Sequence, residues 1–207
     1  MNEKHLAIFL MGLMLLGTGC AAPAAGLDQA NQTGRQGYLD ALKTWTRDAK
    51  VYDLFDTELI VTATWFCKPY RDALRAEQAR AEALVPEEIT RRVRKDEADL
   101  KSSVRFLVSA YTPINSWNDL AGTSPSFRLW LIDAKGRQVA PLSIKEVKLP
   151  PGGSEKYWPY LNEWSKTYEV LFPTSVEKGT ALALTGGPVV LLAAGPRGKA
   201  KLEWQVP

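Results

Sequence analysis

Apolar and polar residues alternate along many short stretches of this chain. The alternation is clearest near the C-terminus, where Ala200, Leu202, Trp204 and Val206 are separated by charged or amide side chains. A period of two residues is typical of a β-strand with one buried face. Further strand patterns, separated by Gly and Pro, cover residues 58–66, 103–111, 126–133, 142–149, 164–172, 181–186 and 189–194.

Short strands in series with Gly and Pro turns predict a mainly β fold with an α insertion. We expect an antiparallel immunoglobulin-like β-sandwich, and a small barrel is the alternative. The stretch DAKGRQ predicts a hairpin turn in which Gly136 takes a positive φ.

Two regions show the helical period instead. Between residues 38 and 52, apolar residues recur at steps of four and three, which predicts a short amphipathic helix, with a change to strand near Val51 as the alternative. Residues 69–100 are rich in Ala and charged residues, and Pro86 divides them into two helices. Glu87 and Arg91 have the i,i+4 spacing that supports a solvated helical face. We expect this helical hairpin to be inserted after the first strand of the sandwich.

The N-terminus has the layout of a signal peptide. An unbroken apolar run covers residues 6–16 and is followed by Gly17, Thr18, Gly19 and Cys20. The run is about half of the roughly 20 residues that a membrane-spanning helix needs. We therefore expect a cleaved segment and no permanent transmembrane helix.

This arrangement resembles the lipobox of bacterial lipoproteins, in which lipoprotein signal peptidase cuts just before the Cys. The resemblance covers residues 1–20, and Gly17 stands where the family prefers Leu. It implies that Cys20 carries a diacylglycerol and that the new amino terminus is acylated, for example with palmitate. Ala21, where Asp would imply retention at the inner membrane, implies the outer membrane facing the periplasm. An ordinary secretory signal cut a few residues later is the alternative.

The chain then divides into three parts. Residues 1–19 form the signal peptide, and residues 20–36 are small and polar, which predicts a flexible tether behind the lipid. Such a tether has a root-mean-square reach of roughly 20 to 25 Å. Residues 37–207 are expected to form a single β-sandwich domain, with the helical insertion at about 69–100.

Charge and histidine content limit the function. Removal of residues 1–19 takes away one Lys, one Glu and the only His, so the net charge stays at +3. Basic and acidic residues are mixed along the chain, so we expect no nucleic-acid partner. Without His, the Ser-His-Asp and Cys-His catalytic groups are excluded and the common zinc sites lose their usual ligand. We predict no metal site and no cofactor.

The two cysteines have different predicted roles. Lipidation of Cys20 leaves Cys67 without an intramolecular partner. Cys67 follows the strand-like stretch ATWF, which predicts a buried, unreactive thiol. A disulfide between the two cysteines is conceivable only if the cleavage prediction is wrong.

Asp53, Asp56 and Glu58 form the densest acidic group outside the helices. Their carboxylates suit calcium, but the stretch lacks the alternating ligands and central Gly of an EF-hand loop. We therefore favour cap and strand-edge roles for them.

The remaining candidates for function are aromatic. Tyr157, Trp158, Tyr160 and Trp164 fall within eight residues, and Trp117 lies in another predicted loop. Exposed Trp and Tyr provide flat amphipathic surfaces for a protein or a sugar. The alternative is that these rings close one end of the sandwich. We predict a lipid-anchored binding or structural module whose partner is an envelope protein or a glycan. The rival hypothesis is an envelope hydrolase that uses Lys or carboxylate groups without His.

Overall fold

The computed structural model describes residues 24–149, 153–176 and 179–207. The predictions for the signal peptide, residues 1–19, and for Cys20 lie outside these residues. Within them the fold is mainly β, with two antiparallel sheets and four α-helices. The mainly β class predicted from the alternating pattern is therefore confirmed.

The strands are β1 (Thr46–Asp53), β2 (Asp56–Trp65), β3 (Val104–Tyr111), β4 (Arg128–Ile132), β5 (Gln138–Val139), β6 (Ser143–Glu146), β7 (Lys166–Phe172), β8 (Gly187–Gly195) and β9 (Gly198–Val206). The helices are α1 (Ala24–Trp45), α2 (Lys68–Ala81), α3 (Pro86–Ser102) and α4 (Ser154–Tyr157), and a 3-10 turn covers Asn115–Trp117. One sheet has the order β1-β2-β3-β7-β6 and the other has the order β5-β4-β8-β9.

Both sheets contribute buried side chains to one hydrophobic core. In β9, Ala200, Leu202 and Trp204 are buried while the residues between them are exposed, as the alternation predicts. The ring of Trp204 lies 5.4 Å from that of Phe106 in the other sheet, measured between centroids, and 6.0 Å from that of Trp65. Aromatic rings at these distances pack favourably beyond the area they bury.

The predicted helical hairpin is present, with Pro86 at the start of its second helix. Arg71 and Arg75 of α2 both donate hydrogen bonds to the Asp96 carboxylate of α3. The Asp96 backbone carbonyl also accepts a bond of 3.2 Å from Arg71. These contacts join the two helices of the hairpin.

The prediction of a helix over residues 38–52 is wrong from residue 46 onward, and the strand considered near Val51 is present but begins earlier. The helix ends at Trp45, and Thr46–Asp53 form strand β1. Pairing with β2 begins at Thr46 and continues to Asp53, so it satisfies the backbone along this stretch and buries Val51. Because β1 precedes β2, the helical hairpin follows the second strand and not the first.

A second strand prediction is also wrong. Residues 181–186 form only an isolated bridge, between Ala181 and Ser175. The amide of Leu182 donates to the Thr174 carbonyl, and that of Ala183 donates to the Asp133 carboxylate. These partners satisfy the backbone without a regular ladder.

Two smaller features concern turns and the N-terminal region. Gly136 has a φ of +76° in the turn between β4 and β5, as predicted. The tether predicted over residues 20–36 overlaps the first part of α1, and its role as a spacer stays a prediction.

No helix within the described ranges is both long and apolar enough to cross a membrane.

Candidate functional site

Three of the predicted aromatic residues pack against the hydrophobic core. Tyr157, Trp158 and Tyr160 are partly buried there. The indole Nε1 of Trp158 donates a 2.8 Å hydrogen bond to the hydroxyl of Tyr70, and its ring lies 6.2 Å from that of Phe66. The ring of Trp158 therefore packs over α2 and over Phe66, the residue that follows β2.

Trp117 lies elsewhere. The guanidinium of Arg197 is placed over its ring, and the same group binds the carboxylate of Glu58 at 3.0 Å. Glu58 is thus held by a cation.

Among the described residues, no cluster of three or more His, Cys, Asp or Glu side chains is suited to a metal ion.

The other buried carboxylates also have structural partners. Glu77 binds Arg35 and Arg80, and Asp96 binds two arginines of α2. The Asp133 carboxylate accepts hydrogen bonds from the amides of Lys135, Arg137 and Ala183 and from the Arg137 side chain. Each of these acids therefore stabilises a turn or a helix pair, and none of them lines the groove described next.

Cys67 is buried, as predicted, and it is the N-cap residue of α2. Burial raises the pKa of its thiol to about 12, so the nucleophilic thiolate is scarce at neutral pH. This site therefore favours packing over chemistry.

Trp164 differs from the other predicted aromatic residues because its side chain projects into solvent and is 74% exposed. It lines a groove of about 350 Å³ together with Tyr160, the other predicted residue there. The remaining lining residues are Ile60, Thr62, Ser109, Tyr111, Asn162 and Ser165.

The floor of the groove consists of two cross-strand pairs. Ile60 is opposite Tyr111, and Thr62 is opposite Ser109, in the antiparallel ladder between β2 and β3. In β2 these residues alternate with core residues, so they point to the outer face of the sheet. Tyr111, Thr62 and Ser109 were not predicted as site residues, although the polar positions of these strands carried the signal.

The wall of the groove is the segment that precedes β7. The Asn162 carboxamide oxygen accepts 3.0 Å hydrogen bonds from the amide of Trp164 and from the Ser165 hydroxyl. Asn side chains commonly fix a turn in this way. Tyr160 shares a 2.7 Å hydrogen bond with the Thr64 hydroxyl, which joins the wall to β2. Burial raises the pKa of the Tyr160 phenol, so the hydroxyl stays protonated.

The groove combines aromatic rings with neutral hydrogen-bonding groups. The described residues that line it include no Asp, Glu, Lys or Arg. It offers hydroxyl groups, one carboxamide and the exposed indole of Trp164. This set can stack on a flat apolar face and exchange hydrogen bonds with hydroxyl groups, and it provides no charge for an ionic ligand.

No protein-family model matches the chain, and no curated protein matches its sequence. In fold it is similar to a crystal structure of a novel protein of unknown function from Burkholderia pseudomallei K96243. That comparison has 10% sequence identity, covers 86% of each chain and gives a TM-score of 0.43.

Proposed function

We propose that this protein is a lipid-anchored binding module of the bacterial cell envelope, and that its groove binds a neutral glycan. The observation that carries the proposal is the exposed Trp164 beside a floor of uncharged side chains. In this proposal the two sheets form an immunoglobulin-like sandwich, and its outer β2–β3 face presents the groove.

Sugar chemistry suits the groove better than the alternatives. A pyranose ring has an apolar face that stacks on an indole, and its hydroxyl groups both donate and accept hydrogen bonds. Asn162, Thr62 and Tyr111 are among the lining residues that can serve as partners. An anionic or cationic ligand would lose hydration in this groove without gaining an ion pair.

The anchor is proposed from the lipobox resemblance. A diacylglycerol on Cys20, with an acylated amino terminus, gives the two or three chains that stable membrane attachment needs. Residues 20–36 then hold the domain at the periplasmic face of the outer membrane.

Titration with neutral oligosaccharides tests the glycan part. Calorimetry and Trp fluorescence would be followed with maltohexaose, cellohexaose and chitohexaose. We expect at least one of the three to bind, and Trp164→Ala to weaken it tenfold or more, which is about 1.4 kcal/mol. Trp164→Phe retains an aromatic face and should weaken binding less. Binding that is insensitive to Trp164, or no binding by any of the three, would refute the assignment.

Leu142→Ser is the matched control for these variants, since Leu142 is exposed and is not among the residues that line the groove. It should bind like the unmodified protein. The anchor is tested separately by incorporation of labelled palmitate, which Cys20→Ser should abolish. Mass spectrometry that finds an unmodified amino terminus beyond residue 20 would refute the anchor and leave the groove proposal intact.

A further inference from the structure

The turn between β1 and β2 exposes two large apolar side chains. The turn consists of Leu54 and Phe55, which are 91% and 99% exposed, and neighbouring Tyr52 is 56% exposed. We call Leu54 and Phe55 the hairpin tip. A contiguous exposed apolar group of this kind is characteristic of contact surfaces.

Two further features make the hairpin tip unfavourable in an isolated molecule. Leu54 has a φ of +53°, a region in which Gly is preferred. Asp53 and Asp56, on either side of the tip, face each other in the ladder, and like charges in this position repel. Within the described part of the chain, neither carboxylate forms an ion pair. Strain of this kind is commonly retained where it serves a contact.

An apolar cavity of about 290 Å³ lies at the other end of the same hairpin. Its apolar lining includes Trp45, Trp65, Leu184 and Val206. We call it the end cavity. Its volume is at the lower limit of known small-ligand pockets, which suits a single side chain.

The charged residues that line the end cavity are both cations, Lys68 and Arg105. Each also binds a carboxylate outside the lining, Asp72 and Glu169 respectively. Such partly exposed pairs are weak and exchange partners readily. The cavity is therefore apolar with cations at its edge, while the hairpin tip is apolar with carboxylates beside it.

The two surfaces cannot meet within one molecule. Strand β2 runs for 10 residues from Asp56, beside the hairpin tip, to Trp65 in the end cavity. At about 3.3 Å per residue the strand separates them by roughly 30 Å. A contact between them must therefore join two copies of the chain.

We propose that the hairpin tip of one copy inserts Phe55 into the end cavity of a second copy. Asp53 and Asp56 then approach Lys68 and Arg105 of the receiving copy. The contact is head-to-tail, so every added copy leaves one free tip and one free cavity, and the assembly grows as an open chain or closes as a ring. Because the contact area is small, the association in solution is weak and concentration-dependent.

Sedimentation velocity of the purified protein tests the proposal. The weight-average sedimentation coefficient should rise between about 10 μM and 1 mM, a range suited to weak interfaces. Phe55→Ser removes the inserted ring, and Thr185→Trp obstructs the cavity from an exposed lining position. For each variant alone, the sedimentation coefficient should not increase with concentration. Leu142→Ser, which removes an exposed Leu elsewhere, should retain the increase.

A mixture of the two defective variants separates this contact from general stickiness. The intact tip of Thr185→Trp can enter only the intact cavity of Phe55→Ser, so the mixture should form dimers and nothing larger. Circular dichroism melting of each variant establishes that it is folded. A coefficient independent of concentration, a Phe55→Ser variant that still assembles, or a mixture that stays monomeric would refute the proposal.

The alternative partner of the hairpin tip is a lipid bilayer, into which its apolar side chains would insert. Vesicles of phosphatidylcholine with phosphatidylglycerol would be floated with residues 20–207 carrying Cys20→Ser, which lack both the apolar run of residues 6–16 and the proposed anchor. The flanking carboxylates disfavour an anionic surface, so we expect no flotation. Flotation that is lost in Phe55→Ser would overturn the self-contact in favour of membrane insertion.

Discussion

The guanidinium carbon of Arg197 lies 3.3 Å from the centroid of the Trp117 ring. Arg197 belongs to the turn between β8 and β9, and its other partner is Glu58 on β2. One side chain thus joins a turn of the second sheet to a strand of the first and to the 3-10 turn. Arg suits this position better than Lys because its planar group can stack on a ring and bind a carboxylate together.

Replacing Arg197 should therefore destabilise the domain. Arg197→Ala leaves the buried Glu58 carboxylate without its cation, and we expect a loss of about 1 to 3 kcal/mol in the free energy of unfolding. Arg197→Lys retains the charge and should lose less. Urea denaturation followed by Trp fluorescence measures both. A change below about 0.5 kcal/mol for Arg197→Ala would place it among ordinary surface substitutions.

Replacing Trp158 should destabilise the protein, whereas replacing Trp164 should leave its stability almost unchanged. Trp158→Ala removes a ring that packs on the core and a hydrogen bond to Tyr70, so we expect a loss of about 2 to 4 kcal/mol. Trp164→Ala removes an exposed ring and should change stability by less than about 0.5 kcal/mol. Thermal and urea unfolding of the two variants test this directly. Equal losses would contradict the different environments.

The same two residues show why burial in this segment could not be predicted from the sequence. Trp158 and Trp164 lie in one aromatic segment, and no local pattern distinguishes them. Their environments differ because Tyr70 of α2 lies beside Trp158, while Asn162 fixes the turn that exposes Trp164. The first contact is between elements far apart in the chain, and the second is local but leaves no pattern of hydrophobic and polar residues.

The positions of the strands could be predicted from the sequence more readily than the pairing between them. The alternation in β9 predicts which residues are buried, because one face of the strand meets the core. The groove floor could not be predicted in the same way. Thr62 and Ser109 become neighbours only through the register of β2 and β3, and α2 and α3 separate these strands in the chain. The helical step pattern that misassigned Thr46–Asp53 failed for the same reason, since pairing with β2 decided the outcome.

The buried ion pairs of Glu77 should make stability depend on pH at the acidic side. Hydrogen bonds from Arg80 and Arg35 lower the pKa of the Glu77 carboxyl below its ordinary value, against the effect of burial. A lowered pKa in the folded state stabilises above the unfolded value, and this contribution is lost as the pH falls through the folded value.

Glu77→Gln should therefore destabilise the protein by about 2 to 4 kcal/mol at pH 7, because two arginines lose their buried partner. The difference from the unmodified protein should shrink as the pH is lowered below about 4, where the carboxyl protonates. Asp72→Asn is the matched control. Asp72 forms an exposed pair with Lys68, so its loss should change stability by less than about 0.5 kcal/mol. A pH-independent difference for Glu77→Gln would contradict the ionic explanation.

Alkaline conditions should unfold the protein through its buried acids. Burial raises the pKa of Cys67 from 9.0 to about 12 and those of Tyr38, Tyr157 and Tyr168 from 10.0 to about 12. The folded state therefore holds protons that the unfolded chain releases earlier. The stability from these groups is complete below about pH 9 and is lost progressively as the pH rises to about 12.

Two measurements separate the thiol from the phenols. Native Cys67 should react with a disulfide reagent at pH 8 more than about 100-fold slower than in urea, because the thiolate is suppressed and the residue is buried. Absorbance at 295 nm should show Tyr38, Tyr157 and Tyr168 ionising together with unfolding, above the range of model phenols. Cys67→Ala removes only the thiol, so it should retain the phenol-dependent loss above about pH 10. Rapid thiol reaction in the folded protein, or tyrosine ionisation complete near pH 10 before unfolding, would contradict the burial of these groups.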